Sequence, residues 1–282
     1  FPANRMMEGG ETRRNDPFGI THVHHFYSMR NLWILSALRS RCAAGPLLLW
    51  FNSQLINISK LNRYRPGVSF PYNPLSGTMY IGSQVSEACV LTAYRNKLNR
   101  LVEALKRIDS PSIISTQSST HAMAIPPQTV DYIFIDPPFG ANLNYSELSS
   151  LWEQWLKVWT NNVLEAIENG VQQKGINEYR LLMSACFKEA YRVLKPGRWM
   201  TVEFSNTRAS VWNSIQTALA EAGFIVANVS VLDKQQGTFK AVTTPTAVKQ
   251  DLVISAYKPN GGFEDRFQKE ATSEEGVWDF VR

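Results

Sequence analysis

Four consecutive residues, Asp136-Pro137-Pro138-Phe139, combine a carboxylate, two residues without an N–H group and a flat apolar ring. They follow the short apolar run 130–135, which is interrupted only by Asp131 and is typical of a strand buried on both faces. Each proline holds the residue before it in an extended conformation. The sequence therefore predicts a carboxylate and a free carbonyl fixed where the strand ends, and open α/β sheets bind ligands at that edge.

The elements that must position this tetrapeptide alternate between helices and short apolar runs. Apolar residues at spacings of three and four predict helices over 28–41, 46–61, 86–108, 145–159, 176–194 and 209–222. Short apolar runs predict strands over 112–116, 130–135, 199–204, 224–232 and 252–257. This alternation predicts an α/β fold, with a mostly parallel sheet and helices on both faces. We expect a mainly helical N-terminal portion (1–108), an α/β core (109–260) and a peripheral tail (261–282).

The composition allows a sizeable core and an anionic partner. Apolar residues make up 44% of the 282 residues, which argues against global disorder. The net charge of +5 fits nucleic acid as a partner without requiring it. We interpret five cations of the helix over 86–108 as a solvated face: Arg95, Lys97, Arg100, Lys106 and Arg107. Three widely spaced cysteines favour a reducing cytoplasm, and no apolar stretch is long enough to predict a membrane span.

The order of these pieces resembles the second half of the Rossmann-like class I methyltransferases that use S-adenosylmethionine. The strand that ends in the tetrapeptide is followed by a long helix, by Val193-Leu194-Lys195-Pro196-Gly197 and by another strand. The tetrapeptide is similar to the catalytic motif of methyltransferases that modify an amino nitrogen, such as adenine N6 or cytosine N4 in DNA. Five stretches between about residue 15 and about residue 260 are similar to a bacterial family described as adenine-specific DNA methylases: 25–31, 73–78, 132–140, 197–204 and 249–255.

This resemblance implies an enzyme and roles for particular residues. The Asp136 carboxylate and the Pro137 carbonyl are expected to accept hydrogen bonds from an exocyclic amine, and Pro138 holds Pro137 extended. Phe139 is expected to stack on a base flipped out of the duplex. Residues beyond the tetrapeptide or on the same sheet edge are expected to contact the substrate: Asn142, Asn144, Tyr145, Glu203 and Asn206. Glu203 and Asn206 are equally explained as residues that bond to backbone groups of loops. The predicted activity is methylation of DNA at adenine N6, and RNA or a protein glutamine is the alternative substrate.

The expected methyl donor is S-adenosylmethionine, but only part of its pocket is visible in the sequence. Phe26, Tyr27, Ser28 and Arg30 resemble a Phe-Tyr-Thr-Pro-Arg stretch that lines this pocket in related DNA methyltransferases, although Ser28 is also explained as an ordinary helix cap. The family binds the cofactor on a glycine-rich turn after its first strand, and no G-x-G follows a predicted strand. We expect the first strands and this turn to come from an upstream segment or a partner chain. A catalytically silent subunit that binds nucleic acid is the alternative of another class.

Three histidines, His22, His24 and His25, raise the question of a metal site. Structural zinc sites are almost always four-coordinate, and no fourth ligand lies at a suitable spacing. We expect no metal and interpret the histidines as polar residues of a loop.

Overall fold

The computed structural model describes residues 1–64, 66–67, 74–75, 77–107, 111–206, 208–233 and 250–262. Residues 263–282 of the predicted tail lie outside these ranges, as do Asn73, Ser76 and Lys249 of the stretches quoted above. The chain divides into two compact units, Phe1–Ile114 with Leu143–Val163 and Ser115–Asn142 with Leu164–Arg282. We call the first the helical unit and the second the sheet unit. The predicted domain boundaries stay a prediction, and the helical unit takes its last segment from within the expected α/β core.

The helical unit contains the α-helices α1 (Met29–Arg39), α2 (Gly45–Asn52), α3 (Val90–Leu105) and α4 (Tyr145–Leu156). Ser28 caps α1, because its Oγ accepts a hydrogen bond from the Asn31 amide at 3.4 Å. Pro46 lies in the first turn of α2, where a missing N–H group leaves no bond unmade. The core of this unit includes side chains with no exposed surface: Val23, Phe26, Leu35, Phe51, Leu55 and Leu151.

The predicted helix over 46–61 is too long. α2 ends at Asn52, and turns and a bend follow it as far as residue 61. The Ser53 hydroxyl donates to the Trp50 carbonyl at 2.7 Å, and the Ser59 hydroxyl donates to the Ile56 carbonyl at 2.7 Å. Side chains that bond to nearby backbone in this way compete with the helix, which explains why the apolar spacing overestimates its length.

The sheet unit contains β1 (Val130–Ile135), β2 (Leu194–Phe204), β3 (Ile225–Asp233), β4 (Gln250–Tyr257), α5 (Ile176–Val193) and α6 (Ala209–Glu221). The strand order is β1-β2-β4-β3. β1 and β2 are parallel, with Ile135 paired to Val202, whereas β4 is antiparallel to both of its neighbours. α5 and α6 share one core with the sheet, formed by Tyr179, Phe187, Met200, Val202, Phe204, Val211 and Ile215. The parallel pairing brings the carboxyl ends of β1 and β2 to the same edge.

The structure confirms the α/β class and corrects the arrangement of the sheet. One described pairing is parallel and two are antiparallel, so this part of the sheet is mixed rather than mostly parallel. An apolar run has the same pattern in either direction, which is why the sequence did not reveal the direction of β4. Among the described residues, α5 and α6 cover one face, while Tyr132 and Phe134 on the other face are 53% and 58% exposed.

The predicted strand over 112–116 is wrong. These residues form no strand, and Ile113 and Ile114 are 98% and 94% exposed. β-Branched residues suit a strand only where neighbouring strands give them a surface to pack on.

In the described part of the chain, no helix is both long and apolar enough to cross a membrane.

Candidate functional site

The tetrapeptide leaves the sheet directly after β1, as predicted. Asp136 is exposed, Pro137 is buried, and Pro138 and Phe139 are half-buried. Gly140 follows with φ of 69° and turns the chain. The exposed Asp136 therefore lies at the carboxyl end of a parallel strand, directly before the buried Pro137.

Two residues from other elements hold the backbone carbonyls that follow Pro137. Tyr179 of α5 donates its hydroxyl to the Pro138 carbonyl at 2.7 Å. Asn206, in the loop after β2, donates its Nδ2 to the Phe139 carbonyl at 2.9 Å. The described residues supply no donor to the Pro137 carbonyl. The tetrapeptide is thus anchored through its last two carbonyls, and the first proline carbonyl is left as an acceptor.

The Phe139 ring packs against aromatic side chains of the sheet unit. The Phe139 and Phe204 rings meet edge to face, with the ring centroids 5.3 Å apart and the planes at 81°. The ring centroids of Phe204 and of Trp212 in α6 are 6.2 Å apart. This aromatic row orients the half-buried Phe139 ring at the sheet edge.

The turn at Gly140 requires glycine for two reasons. Its φ lies in the left-handed region, where a side chain is strained. A Cβ there would also lie 2.7 Å from Oε1 of Glu168. Nη1 of Arg208 donates to both carboxylate oxygens of Glu168, at 2.9 Å to Oε1 and 3.0 Å to Oε2. The Arg208 amide donates to Asn206 Oδ1 at 2.8 Å, so the Asn206 side chain links the tetrapeptide to this pair.

Tyr179, Glu168 and Arg208 were not predicted from the sequence as residues of the site. A signal existed for Tyr179, because a tyrosine within an apolar helical stripe needs a partner for its buried hydroxyl. No signal existed for Glu168 and Arg208, since their ion pair joins two loop residues far apart in the sequence.

The five predicted substrate residues are divided between the two units. Asn142, Glu203 and Asn206 belong to the sheet unit, as the tetrapeptide does, while Asn144 and Tyr145 belong to the helical unit. Of these, Asn206 contacts the tetrapeptide through its side-chain amide. The contacts predicted with a substrate stay a prediction for all five.

Of the predicted cofactor residues, the two aromatic ones are buried in the core of the helical unit. Phe26 has no exposed surface, and Tyr27 is 3% exposed. The Tyr27 hydroxyl accepts a hydrogen bond from Nε1 of Trp155 at 3.2 Å, and burial raises the pKa of Tyr27 well above its usual range. As placed, these rings face other core side chains and offer no surface to a cofactor.

The other two predicted cofactor residues lie at the surface and share a carboxylate. Ser28 donates its hydroxyl to Glu87, and Arg30 forms an ion pair with Glu87 at 3.0 Å. The hydrogen bond from Ser28, together with the Arg30 cation, holds the pKa of Glu87 below its usual range. Ser28 acts as the helix cap that the alternative interpretation expected, and the cofactor role of these four residues stays a prediction.

The three histidines form a cluster of rings. Their centroids are 5.6 Å apart for His22 and His24, 5.2 Å for His22 and His25, and 4.3 Å for His24 and His25. Burial lowers the pKa of His24 and of His25. The charges of His25 and His22 lower the pKa of His24 further, and those of His22 and Lys60 lower the pKa of His25 further. Within the described ranges, no group of three or more His, Cys, Asp or Glu residues is arranged to hold a metal ion.

Comparison with known proteins identifies one family. The sequence model of a family described as DNA methylase matches residues 130–275, which is just over half of the chain. No curated protein matches the sequence.

Solved structures resemble the chain at low TM-scores. One is a candidate DNA modification methylase of Thermus thermophilus complexed with S-adenosyl-L-methionine, at 16% identity over 51% of this chain and 54% of that chain, with a TM-score of 0.32. A selenomethionine form of the same methylase matches at 14% identity over 51% of each chain, with a TM-score of 0.31. A SAM-dependent methyltransferase of Methanosarcina mazei matches at 14% identity over 57% of this chain and 76% of that chain, with a TM-score of 0.28. The matched part spans about half the length of the Thermus methylase.

Proposed function

The chain belongs to the DNA methylase family, and we propose that it transfers a methyl group from S-adenosylmethionine to an exocyclic amine of a DNA base. The proposed target is adenine N6. The observation that carries the proposal is the tetrapeptide at the carboxyl end of β1, with Asp136 exposed and the backbone anchored behind it.

An exocyclic amine is a poor nucleophile because its lone pair is delocalised into the ring of the base. In our proposal, one amine N–H group donates to the Asp136 carboxylate and the other donates to the Pro137 carbonyl. Two fixed acceptors favour a tetrahedral nitrogen and stabilise the positive charge that develops on it during transfer. Pro137 serves as this acceptor because the two carbonyls after it are already bonded to Tyr179 and Asn206.

The anchored backbone matters because catalysis by positioning tolerates little displacement. A shift of about 1 Å in a reacting group can cost about 100-fold in rate. The bonds from Tyr179 and Asn206 come from α5 and from the loop after β2, so two elements restrain the tetrapeptide independently. We propose that both residues position the catalytic backbone. For Asn206 this is the alternative expected from the sequence, since both polar atoms of its amide are bonded to backbone groups of the chain.

The target amine is inaccessible inside a duplex, so the base must leave the stack before it can react. Phe139 is the proposed platform for the flipped base, because its ring is oriented by Phe204 and remains half-buried at the sheet edge. Asn142 and Glu203 of the sheet unit remain proposed substrate contacts. For Asn144 and Tyr145 the contact with the substrate stays a prediction from the sequence.

S-adenosylmethionine supplies the methyl group as an electrophile. Ser28 and Arg30 are the predicted cofactor residues that reach the surface, while Phe26 and Tyr27 do not fit a role in lining the pocket as they are placed. Among the described residues, no glycine-rich turn of the G-x-G type follows a strand. We propose that an upstream segment or a partner chain supplies this turn. The same observation favours the second candidate, a silent subunit that binds DNA without transferring a methyl group.

The proposal is tested by methyl transfer from radiolabelled S-adenosylmethionine to duplex DNA. The variant Asp136→Asn removes the negative charge of the proposed acceptor. It is expected to lower kcat by about 100- to 1,000-fold, the range found when a preorganised stabilising group is removed. The matched control is Asp131→Asn, since Asp131 is an exposed carboxylate of the same region whose ion pair with Lys195 lies at the surface. The control is expected to keep its activity, and equal activity in both variants would contradict the role of Asp136.

Analysis of the digested DNA product identifies the target. N6-methyladenine is the expected nucleobase, N4-methylcytosine would move the proposal to the other amine, and methylation of RNA or protein instead of DNA would support the alternative substrates. DNA binding without any transfer, combined with no calorimetric signal for S-adenosylmethionine, would establish the silent subunit.

A further inference from the structure

The net charge of the chain is concentrated on one helix. Residues 95–107, the last part of α3 and the turn after it, contain five basic residues and one acidic residue, for a net charge of +4. The whole chain carries +5, so the remaining residues are together almost neutral. A mildly basic protein with evenly spread charge would not show this concentration.

The first turns of α3 fix the helix in the helical unit. Val90 and Tyr94 are buried, and Tyr94 packs against Trp50 with their ring centroids 4.7 Å apart. Trp50 also donates its Nε1 to the Tyr94 carbonyl at 2.9 Å, and the Tyr94 hydroxyl donates to the Phe51 carbonyl at 2.7 Å. These contacts determine which side of α3 faces the core, and therefore which side faces away from it.

The cations lie on the side opposite Tyr94. With a rotation of about 100° per residue, four of them fall within an arc of about 140° opposite Tyr94: Arg95, Arg100, Lys106 and Arg107. We call these four residues the basic arc. The residues between them on the same arc are polar: Asn96, Asn99 and Glu103. From Arg95 to Arg107 the arc extends about 18 Å along the helix axis, the length of about five base pairs.

The basic arc is not neutralised by the described part of the chain. Lys106 forms an ion pair with Glu103 at 2.8 Å. Arg95, Arg100 and Arg107 are exposed, and within the described ranges none of them pairs with a carboxylate. Like charges held this close repel one another, and a polyanion removes that repulsion while releasing its own counterions.

We propose that the basic arc of α3 contacts the phosphate backbone of DNA. The inference rests on the proposed function, which makes DNA the partner. Nucleic-acid interfaces are polar and strongly cationic, whereas the centre of a protein–protein interface is mostly apolar and depleted of charge, and the arc consists of charged and amide side chains. Contacts of this kind position the duplex and carry no sequence information.

The test is the salt dependence of DNA binding, measured by fluorescence anisotropy with a labelled duplex. The triple variant Arg95→Gln, Arg100→Gln, Arg107→Gln removes three cations while keeping good helix formers. If each contacts a phosphate, the slope of log Kd against log salt concentration should fall by about 2.7, since each contact contributes about 0.9. The control triple Arg41→Gln, Lys157→Gln, Lys188→Gln removes the same charge from other exposed positions and should change the slope by less than about 1.

Equal slopes for the two triple variants would overturn the inference, because only net charge would then matter. The inference would also be overturned if poly-L-glutamate displaced the labelled duplex as well as unlabelled duplex does at the same concentration of charge, because the arc would then bind acidic polypeptides equally well. Methyl transfer by the unvaried protein separates this failure from that of the proposed function. If the original protein transfers methyl groups and the arc variant has an unchanged salt dependence, the inference about the arc alone is refuted. If the original protein shows no methyl transfer and no salt-dependent binding of DNA, both proposals are refuted.

Discussion

Replacing Gly9 by alanine should destabilise the contact between the first residues of the chain and α4. Glu147 of α4 has no exposed surface, and its Oε2 accepts hydrogen bonds from the amides of Glu11 at 2.8 Å and Thr12 at 2.9 Å. A Cβ on Gly9 would lie 1.9 Å from Cδ of Glu147 and 2.1 and 2.2 Å from its two oxygens. The carboxylate and the new methyl group cannot occupy these positions together, so one of them must move.

The size of the effect follows from what that movement breaks. A hydrogen bond to a charged group contributes about 1.5–3 kcal/mol. Loss of one of the two amide bonds to Glu147, with about 1–3 kcal/mol for overpacking, gives an expected cost of about 3 kcal/mol or more. This is a large part of the about 5–15 kcal/mol that stabilises a typical protein. Gly10→Ala is the matched control, since a Cβ at Gly10 meets nothing within 4 Å.

The assay is hydrogen exchange at the amides of Glu11 and Thr12. It reports local opening and does not assume that a chain of two units unfolds in one step. A cost of about 3 kcal/mol corresponds to exchange about 100-fold faster, while Gly10→Ala should leave the rate nearly unchanged. Equal exchange rates in the Gly9 and Gly10 variants would refute the placement of the Glu147 carboxylate against this turn.

Two further predictions follow from the site and from the histidine cluster. Tyr179→Phe should lower kcat by about 10- to 100-fold, because the Pro138 carbonyl then lacks its donor at a cost of about 1–3 kcal/mol. Tyr191→Phe in the same helix is the control and should leave kcat unchanged, so equal kcat values for the two variants would refute the positioning role of Tyr179. His24 and His25 have lowered pKa values, so the stability of the protein should be highest above pH 6.5 and should decline as the pH falls from 6.5 through their folded-state pKa values. An unfolding temperature that does not change with pH below 6.5 would contradict the partial burial of these rings.

The sequence predicted best where local chemistry determines the structure. The bounds of β1 agree with the predicted strand, because prolines delimit an apolar run on both sides. α5 begins at the predicted residue and ends one residue early. The predictions failed where the outcome depends on distant partners: the apolar run over 112–116 found no neighbouring strand, and β4 took a direction that its own pattern does not encode.

The same limit applies inside the site. The sequence predicts Asp136 and the prolines as site residues, a role that stays a prediction, but the proposed choice of acceptor depends on residues elsewhere in the chain. Tyr179 was predicted as part of a buried stripe, yet only the fold shows that its hydroxyl reaches the Pro138 carbonyl. Asn206 was predicted either to contact substrate or to bond to loop backbone groups, and only the fold shows that the backbone group is the Phe139 carbonyl.

These contacts change what the tetrapeptide itself explains. A chain that follows Asp136 with three carbonyls offers three possible second acceptors, and prolines alone do not select among them. Bonds from Tyr179 and Asn206 use the second and third carbonyls, which leaves the Pro137 carbonyl beside the carboxylate. In the proposed mechanism, the capacity to hold an amine between two acceptors therefore resides in α5 and the loop after β2 as much as in the tetrapeptide. The same four residues in an ordinary turn, without that hydroxyl and that amide, would lack this selection.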